Sequence, residues 1–187
     1  MKKSITFAAL VLLCSALTAY ALLPVGDAKY AGSTACKACH NTDKTGKQFA
    51  IWEKTAHAGA FKTLQTPEAD KIAAGKGITG KAAEAKECLG CHVTGHSVEA
   101  AQFDAKFAKE DGVGCESCHG AGSAFKTLHM KKENIEKAIA AGMQLPKVAD
   151  GSAEKQCVTC HNDKSPTFKE FKFDEFWKKI AHPTPKG

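Results

Sequence analysis

Apolar residues recur at helical spacing in several segments of the chain, and stretches rich in glycine and polar residues separate those segments. The pattern predicts a helix over 47–64, with the following side chains on one face: Phe49, Trp52, Ala56, Ala60 and Phe61. Similar spacing predicts helices over 81–91, 100–110 and 131–141, and Pro67 is expected to end or interrupt the first helix. The chain is therefore predicted to be mainly α with extensive loops.

The N-terminal residues follow the pattern of an export signal. Lys2 and Lys3 precede an apolar run over 5–17, and an A-x-A cleavage site ends at Ala21. We expect residues 1–21 to be a signal peptide and 22–187 to form one exported domain, periplasmic or extracellular. The apolar run is too short for a confident membrane span, so no integral membrane segment is expected after cleavage.

Cys14 lies inside that apolar run, and the residue before it, Leu13, is not the small residue that a lipoprotein signal requires. Lipid anchoring is therefore a minor alternative. Cleavage after Ala21 would leave eight of the nine cysteines, all of them in Cys-x-x-Cys-His motifs. No cysteine would then be free for a structural disulfide.

The four motifs span 36–40 (motif one), 88–92 (motif two), 115–119 (motif three) and 157–161 (motif four). Their cysteines are Cys36, Cys39, Cys88, Cys91, Cys115, Cys118, Cys157 and Cys160, and their histidines are His40, His92, His119 and His161. Two intervening residues place the two sulfurs one turn apart, as two thioether bonds to one porphyrin edge require, and the adjacent histidine reaches the iron. Zinc, redox thiol pairs and disulfides also use Cys-x-x-Cys, but none of them requires a histidine after the second cysteine. The motifs predict four covalently attached haem c groups.

Four further histidines lie outside the motifs, one for each iron. They are His57, His96, His129 and His182. This count favours two imidazole ligands on every iron, and hence four low-spin, six-coordinate centres. If the segment after motif two is helical, His96 lies only about 6 Å along the axis from His92. The two could not then approach one iron from opposite faces, so His96 is expected to serve another haem.

Composition further limits the function. The formal net charge of +6 falls to +4 when Lys2 and Lys3 are removed, and four ferric haems with their propionates add about four negative charges. A near-neutral protein has no electrostatic basis for binding nucleic acid. All 26 basic residues are lysine, so the chain lacks the planar guanidinium that suits bidentate anion binding. Most of the lysines are expected to be solvated, with a patch for an acidic redox partner as the alternative.

With about forty residues for each haem, the protein is too small to form an ordinary hydrophobic core around each group. The porphyrins themselves are expected to be the core. Aromatic residues near the C-terminus are expected to line it, and these are Phe168, Phe171, Phe173, Phe176 and Trp177.

Two segments are more specific than the haem motifs. One is Trp52-x-x-Thr55-x-His57-Ala58, and the other runs from Gly112 through motif three to Gly122 with the sequence GVGCESCHGAG. Together with Gly32-Ser33 and the residues of motifs one and two, these segments resemble the tetrahaem cytochrome c-554 family over nearly the whole predicted mature chain.

The resemblance implies a small, mostly helical periplasmic protein with closely packed haems in stacked and perpendicular pairs, which carries electrons between redox proteins. The named family member accepts electrons from hydroxylamine oxidoreductase and has one haem without a distal protein ligand. This chain departs from that pattern by its fourth spare histidine. Related tetrahaem chains assemble into conducting filaments in which a histidine of one subunit ligates a haem of the next.

Three functions follow as hypotheses. The first is an electron carrier that is not an enzyme and has redox proteins as partners. The second is a subunit of an extracellular electron-conducting filament. The third is a small enzyme that reduces a nitrogen oxide at a five-coordinate haem. The absence of arginine and of a Cys-x-x-Cys-Lys variant argues against the third.

Overall fold

The computed structural model describes residues 28–184. The predicted signal peptide and Cys14 lie outside the described residues. Within them, the only β-type pairing is an isolated bridge between Tyr30 and Phe103, and no strand forms. The prediction of a mainly α chain with extensive loops is confirmed.

Nine short α-helices follow one another in the described part of the chain. They are α1 (Ser33–His40), α2 (Gln48–Trp52), α3 (Ala60–Leu64), α4 (Pro67–Gly75), α5 (Lys86–His92), α6 (Cys115–His119), α7 (Ile135–Ala140), α8 (Ser152–Cys157) and α9 (Phe173–Ile180). One 3₁₀ turn precedes α5, two precede α6 and three precede α7. No helix within 28–184 is long and apolar enough to cross a membrane.

The predicted helix over 47–64 is two helices, α2 and α3, with a turn between them. The reason is a contact from a distant segment, because the backbone carbonyl of His57 accepts a hydrogen bond from Val113 N (3.0 Å). The same carbonyl accepts a hydrogen bond from Ala60 N (3.1 Å), three residues on, which closes a turn rather than an α-helical bond to the fourth residue. The interruption places His57 on a turn between the two helices.

The predicted helix over 100–110 is wrong. Two 3₁₀ turns, Ala100–Gln102 and Lys109–Asp111, flank a stretch that is extended at its two ends and turns at 105–106. That stretch bonds to the N-terminal segment, since Tyr30 N donates to Gln102 O (2.8 Å) and Asp104 N donates to Tyr30 O (2.9 Å). Long-range pairing overrides the local helical pattern here.

The predicted helices over 81–91 and 131–141 form in their C-terminal parts. Each begins with a 3₁₀ turn, Ala82–Glu84 or Lys132–Asn134, and continues as α5 or α7. Pro67 begins a helix rather than ending one. It occupies the first turn of α4 after Thr66, whose side chain accepts a hydrogen bond from Ala69 N (3.2 Å).

Buried apolar side chains are few and small. Ten are buried within 28–184, and five of these are alanines. Six of them form two separate clusters, one of Leu64, Ala73 and Ala82 and the other of Phe125, Ala138 and Met143. So little protein core agrees with a fold whose interior is formed by its prosthetic groups.

Candidate haem-binding site

All four motifs begin on a helical turn. Motif one ends α1, motif two occupies most of α5, motif three is α6 itself, and motif four starts at the last residue of α8. After α8 a turn continues the motif, with His161 N donating to Cys157 O (3.0 Å). Residues three apart on a helical turn share a face, so the two cysteines of each motif can meet one porphyrin edge.

Three pairs of histidine side chains lie opposite each other, and each pair joins one motif histidine to one spare histidine. The ring centroids are 5.7 Å apart for His40 and His129, 6.0 Å for His57 and His161, and 5.9 Å for His119 and His182. Each pair thus brings together residues that are far apart in the sequence.

The distances suit two ligands on opposite sides of one metal ion. The Nε2 atoms of His40 and His129 are 3.4 Å apart. An imidazole nitrogen binds a first-row metal at about 2 Å, so two such nitrogens on one metal are about 4 Å apart. The spacing of His40 and His129 is therefore close to that of two axial histidines on one iron, and the other two pairs have similar distances between ring centroids.

Hydrogen bonds at the second ring nitrogen orient four of the histidines. Nδ1 lies 2.8 Å from Ala60 O in His92, 2.9 Å from Gln144 O in His119, and 2.9 Å from Phe125 O in His129. In His40 it lies 3.3 Å from the Gln48 side-chain oxygen. A carbonyl oxygen can only accept, so Nδ1 carries the hydrogen and Nε2 is left free to bind a metal. This support is typical of metal-ligating histidine.

Sequence reasoning did not identify these supporting groups. Three of them are backbone carbonyls, which no residue type reveals. Gln48 also has no motif that would mark it, although it follows His40 by only eight residues.

Burial lowers the pKa of four histidine side chains that take part in the pairs, namely His40, His57, His161 and His182. Desolvation is the largest cause in each case, because it disfavours the charged imidazolium. The neutral imidazole is the form that ligates a metal. The local environment thus favours the state that iron requires.

His92 has no opposed imidazole among residues 28–184. The remaining spare histidine, His96, does not continue α5, because the helix ends at His92 and Val93 is extended. Gly95 then adopts a positive φ of 67° and turns the chain back. The His96 ring consequently lies against Gly90 of motif two. Its Nε2 is 3.3 Å from the position that a Cβ on Gly90 would occupy. The expectation that His96 ligates another iron stays a prediction, and its helical premise is wrong.

The segments that carry the family resemblance contact each other. Trp52 Nε1 donates to Val113 O (2.9 Å), and Val113 N donates to the carbonyl of His57. Thr55 Oγ1 donates to Trp52 O (2.7 Å) and stabilises the turn before His57. This network fixes His57 relative to motif three.

The motifs lie next to one another in the order one, three, four, two. The Cys36 side chain lies near that of Cys115, and the Cys91 side chain lies near that of Cys160. Motifs three and four are joined by Gln156 Nε2, which donates to Ser117 O (2.7 Å). Burial raises the pKa of the Cys118 thiol to about 11, with the nearby Cys157 as a further cause. Attachment points from different motifs are therefore close together.

Aromatic residues of the C-terminal segment lie beside motif four. Phe171 stacks on the His161 ring with centroids 4.6 Å apart, and Phe176 stacks on Phe171 at 5.2 Å. Phe176 remains 39% exposed and Phe168 42% exposed. The segment thus presents an apolar surface beside a haem attachment site.

The donor arrangement fits haem better than zinc. Nowhere within 28–184 do three or more His, Cys, Asp or Glu side chains come together as a metal-ion site, whereas structural zinc needs four ligands. Opposed imidazole pairs near Cys-x-x-Cys turns are instead what axial ligation and covalent attachment require.

Comparisons with known proteins agree with this assignment. A family model described as "Cytochrome c554 and c-prime" matches residues 35–120. Cytochrome c-554 of Nitrosomonas europaea is 34% identical over 146 residues, which cover 72% of this chain and 58% of that protein. The structure of the reduced state of cytochrome c554 from the same organism matches with a TM-score of 0.54 and 26% identity, covering 84% of this chain and 86% of that chain. This chain therefore belongs to the cytochrome c-554 family, whose cofactor is covalently attached haem c.

Proposed function

We propose that this protein is an exported electron carrier that passes single electrons between redox proteins along its four haem groups. The observation that carries the proposal is the set of three opposed imidazole pairs. Haem iron supplies reversible one-electron chemistry. Two axial imidazoles leave no position at the metal for a substrate, so a centre of this kind serves electron transfer.

The adjacency of the motifs supports a path for the electrons. Cys36 of motif one lies near Cys115 of motif three, Cys91 of motif two lies near Cys160 of motif four, and the Gln156 to Ser117 hydrogen bond joins motif three to motif four. We therefore propose the order one, three, four, two. The protein contributes by fixing these attachment points and by orienting the ligating imidazoles.

Redox proteins are the proposed partners. Exposed lysines suit transient contacts with an acidic partner surface. The filament alternative requires a ligand from a neighbouring subunit. Against it, the best candidate for that ligand, His182, lies opposite His119 of its own chain.

The experiment is a coulometric titration of the protein matured in a host competent for haem attachment. We expect an intact mass equal to the chain from about Leu22 plus four haems, and reversible uptake of four electrons. Bound zinc, fewer than four covalent haems, or irreversible reduction would contradict the proposal.

A second function is favoured by one observation, the absence of an opposed imidazole at His92 within the described residues. An iron with a single protein ligand can bind a small molecule such as nitric oxide or cyanide. Rapid binding of one equivalent of cyanide by the ferric protein would establish the open site. If the protein then reduced a nitrogen oxide catalytically, it would be an enzyme; if it bound the molecule without turnover, the carrier function would stand.

A further inference from the structure

Motif three contains a buried carboxylate. Glu116 lies between Cys115 and Cys118 and is only 5% exposed. Its Oε1 accepts hydrogen bonds from Ala31 N (2.7 Å) and Gly122 N (2.6 Å), and its Oε2 accepts one from Gly32 N (2.8 Å). Glutamate is seldom buried without partners, and here backbone N–H groups provide them.

The three donors act on both carboxylate oxygens. Oε1 accepts two of these bonds and Oε2 accepts one. The arrangement therefore accommodates the ionised form, in which both oxygens only accept.

No side-chain cation forms an ion pair with Glu116 among residues 28–184. Backbone N–H dipoles solvate the carboxylate but carry no net charge. The site thus holds a full negative charge away from water, where electrostatic interactions are stronger than in solvent.

The carboxylate lies at the junction of two attachment sites. Two of its donors, Ala31 and Gly32, immediately precede α1 and motif one, while Glu116 itself belongs to motif three. The proximity of the Cys36 and Cys115 side chains places the same two motifs together. Gly122 leaves room for this packing, because a Cβ there would lie 2.9 Å from Oε1.

We propose that Glu116 is a potential-determining residue of the electron carrier, whose fixed negative charge lowers the reduction potentials of the haems at motifs one and three. Reduction adds an electron to a centre near an existing negative charge, so the charge stabilises the ferric state. The inference rests on the proposed electron-carrier function and adds a control of potential to it.

The test compares two variants that each remove one negative charge beside a haem motif. Glu116→Gln keeps the shape of the buried side chain. The matched control is Glu87→Gln, which changes an exposed residue immediately before Cys88. Midpoint potentials are measured by spectroelectrochemical titration of the protein loaded with four haems.

We expect Glu116→Gln to raise two of the four midpoint potentials and Glu87→Gln to leave all four close to wild type, because water and salt screen an exposed charge. Equal effects of the two substitutions would overturn the proposal. A wild-type protein that does not titrate reversibly would instead refute the carrier function itself, so the two failures are distinguishable.

Glu116→Asp separates charge from structural support. It keeps the charge, but its side chain is one methylene shorter and cannot reach all three donors. If charge sets the potentials, the aspartate variant keeps them near wild type even where its stability falls. If Glu116 acts only as a structural anchor, the aspartate variant shifts them as glutamine does.

Discussion

The position of a single imidazole determines whether an iron has two protein ligands or one. His129 lies opposite His40, and its Nδ1–H donates to Phe125 O, so its Nε2 is aimed at the proximal ligand. His96 lies against the backbone of Gly90 and has no opposed imidazole within 28–184. The sequence does not distinguish His129 from His96 as candidate ligands, but only His129 faces a second imidazole in the described residues.

This contrast leads to a prediction for matched substitutions. His129→Leu removes the imidazole opposite His40, so we expect one low-spin haem to become high-spin and its reduction potential to rise, because a lost imidazole donor destabilises the ferric state. His96→Leu is the control and should change neither property. Electron paramagnetic resonance of the oxidised variants provides the measurement.

The outcome that contradicts this account is a new high-spin haem in the His96 variant. That result would restore the sequence-based expectation that His96 is an axial ligand. An unchanged spin state in the His129 variant would contradict the His40 and His129 pairing.

For single residues, the sequence predicts which side chains can bind haem or iron. It does not predict which two histidines lie opposite each other. Cys-x-x-Cys-His spacing identifies the attachment residues because attachment is local. His40 and His129 are 89 residues apart, and no local pattern encodes their proximity. Glu116 was missed as a functional residue because its role depends on burial by Ala31, Gly32 and Gly122.

At the scale of elements, short helices place the motifs and contacts between distant segments end those helices. The pattern over 47–64 correctly indicates helical structure, but it does not reveal that Val113 bonds the His57 carbonyl and divides the segment. The pattern over 100–110 fails for the same reason, since Tyr30 pairs with its middle. The spacing of apolar residues along one segment gives no information about its hydrogen bonds to distant segments.

Helix α4 could have been predicted. Thr66 is a good N-cap, Pro67 suits the first turn, and Glu68 and Asp70 place negative charge near the helix N-terminus. Treating Pro67 only as a helix breaker overlooked this combination.

Thr66 provides the prediction at this scale. Thr66→Ala removes the hydroxyl that accepts from Ala69 N, at a cost of about 1 kcal/mol. Amides of α4 that open locally should then exchange with solvent about five-fold faster, since 1.4 kcal/mol corresponds to a factor of ten. Thr66→Ser keeps the hydroxyl and should retain wild-type exchange. Unchanged exchange in the alanine variant would show that the cap does not stabilise α4.

The part of the molecule that the structure describes has little protein core for its length. Its two small apolar clusters do not merge, and large apolar side chains such as Met130 and Phe168 remain exposed. A chain of this kind gains its stability from binding its prosthetic groups, because a group that binds only the folded state stabilises it. The small number of residues per haem predicts such a small protein core from the sequence alone.

The histidine pairs also bear on whether subunits assemble by sharing haem ligands. His182 is close to the C-terminus and could serve a neighbouring subunit, yet it lies opposite His119 within one chain. Ligation within a chain avoids the entropic cost of association. The geometry thus favours a carrier whose ligands all come from the same molecule.

The most direct test of the account is quantitative low-temperature electron paramagnetic resonance of the fully oxidised protein, at a dilution where sedimentation shows a monomer. Three imidazole pairs and one unpaired motif histidine predict three low-spin ferric haems and one high-spin ferric haem in each chain. Four low-spin haems would show that the His92 iron has a second ligand, and two or more high-spin haems would contradict the pairing of His40 with His129, of His57 with His161 or of His119 with His182.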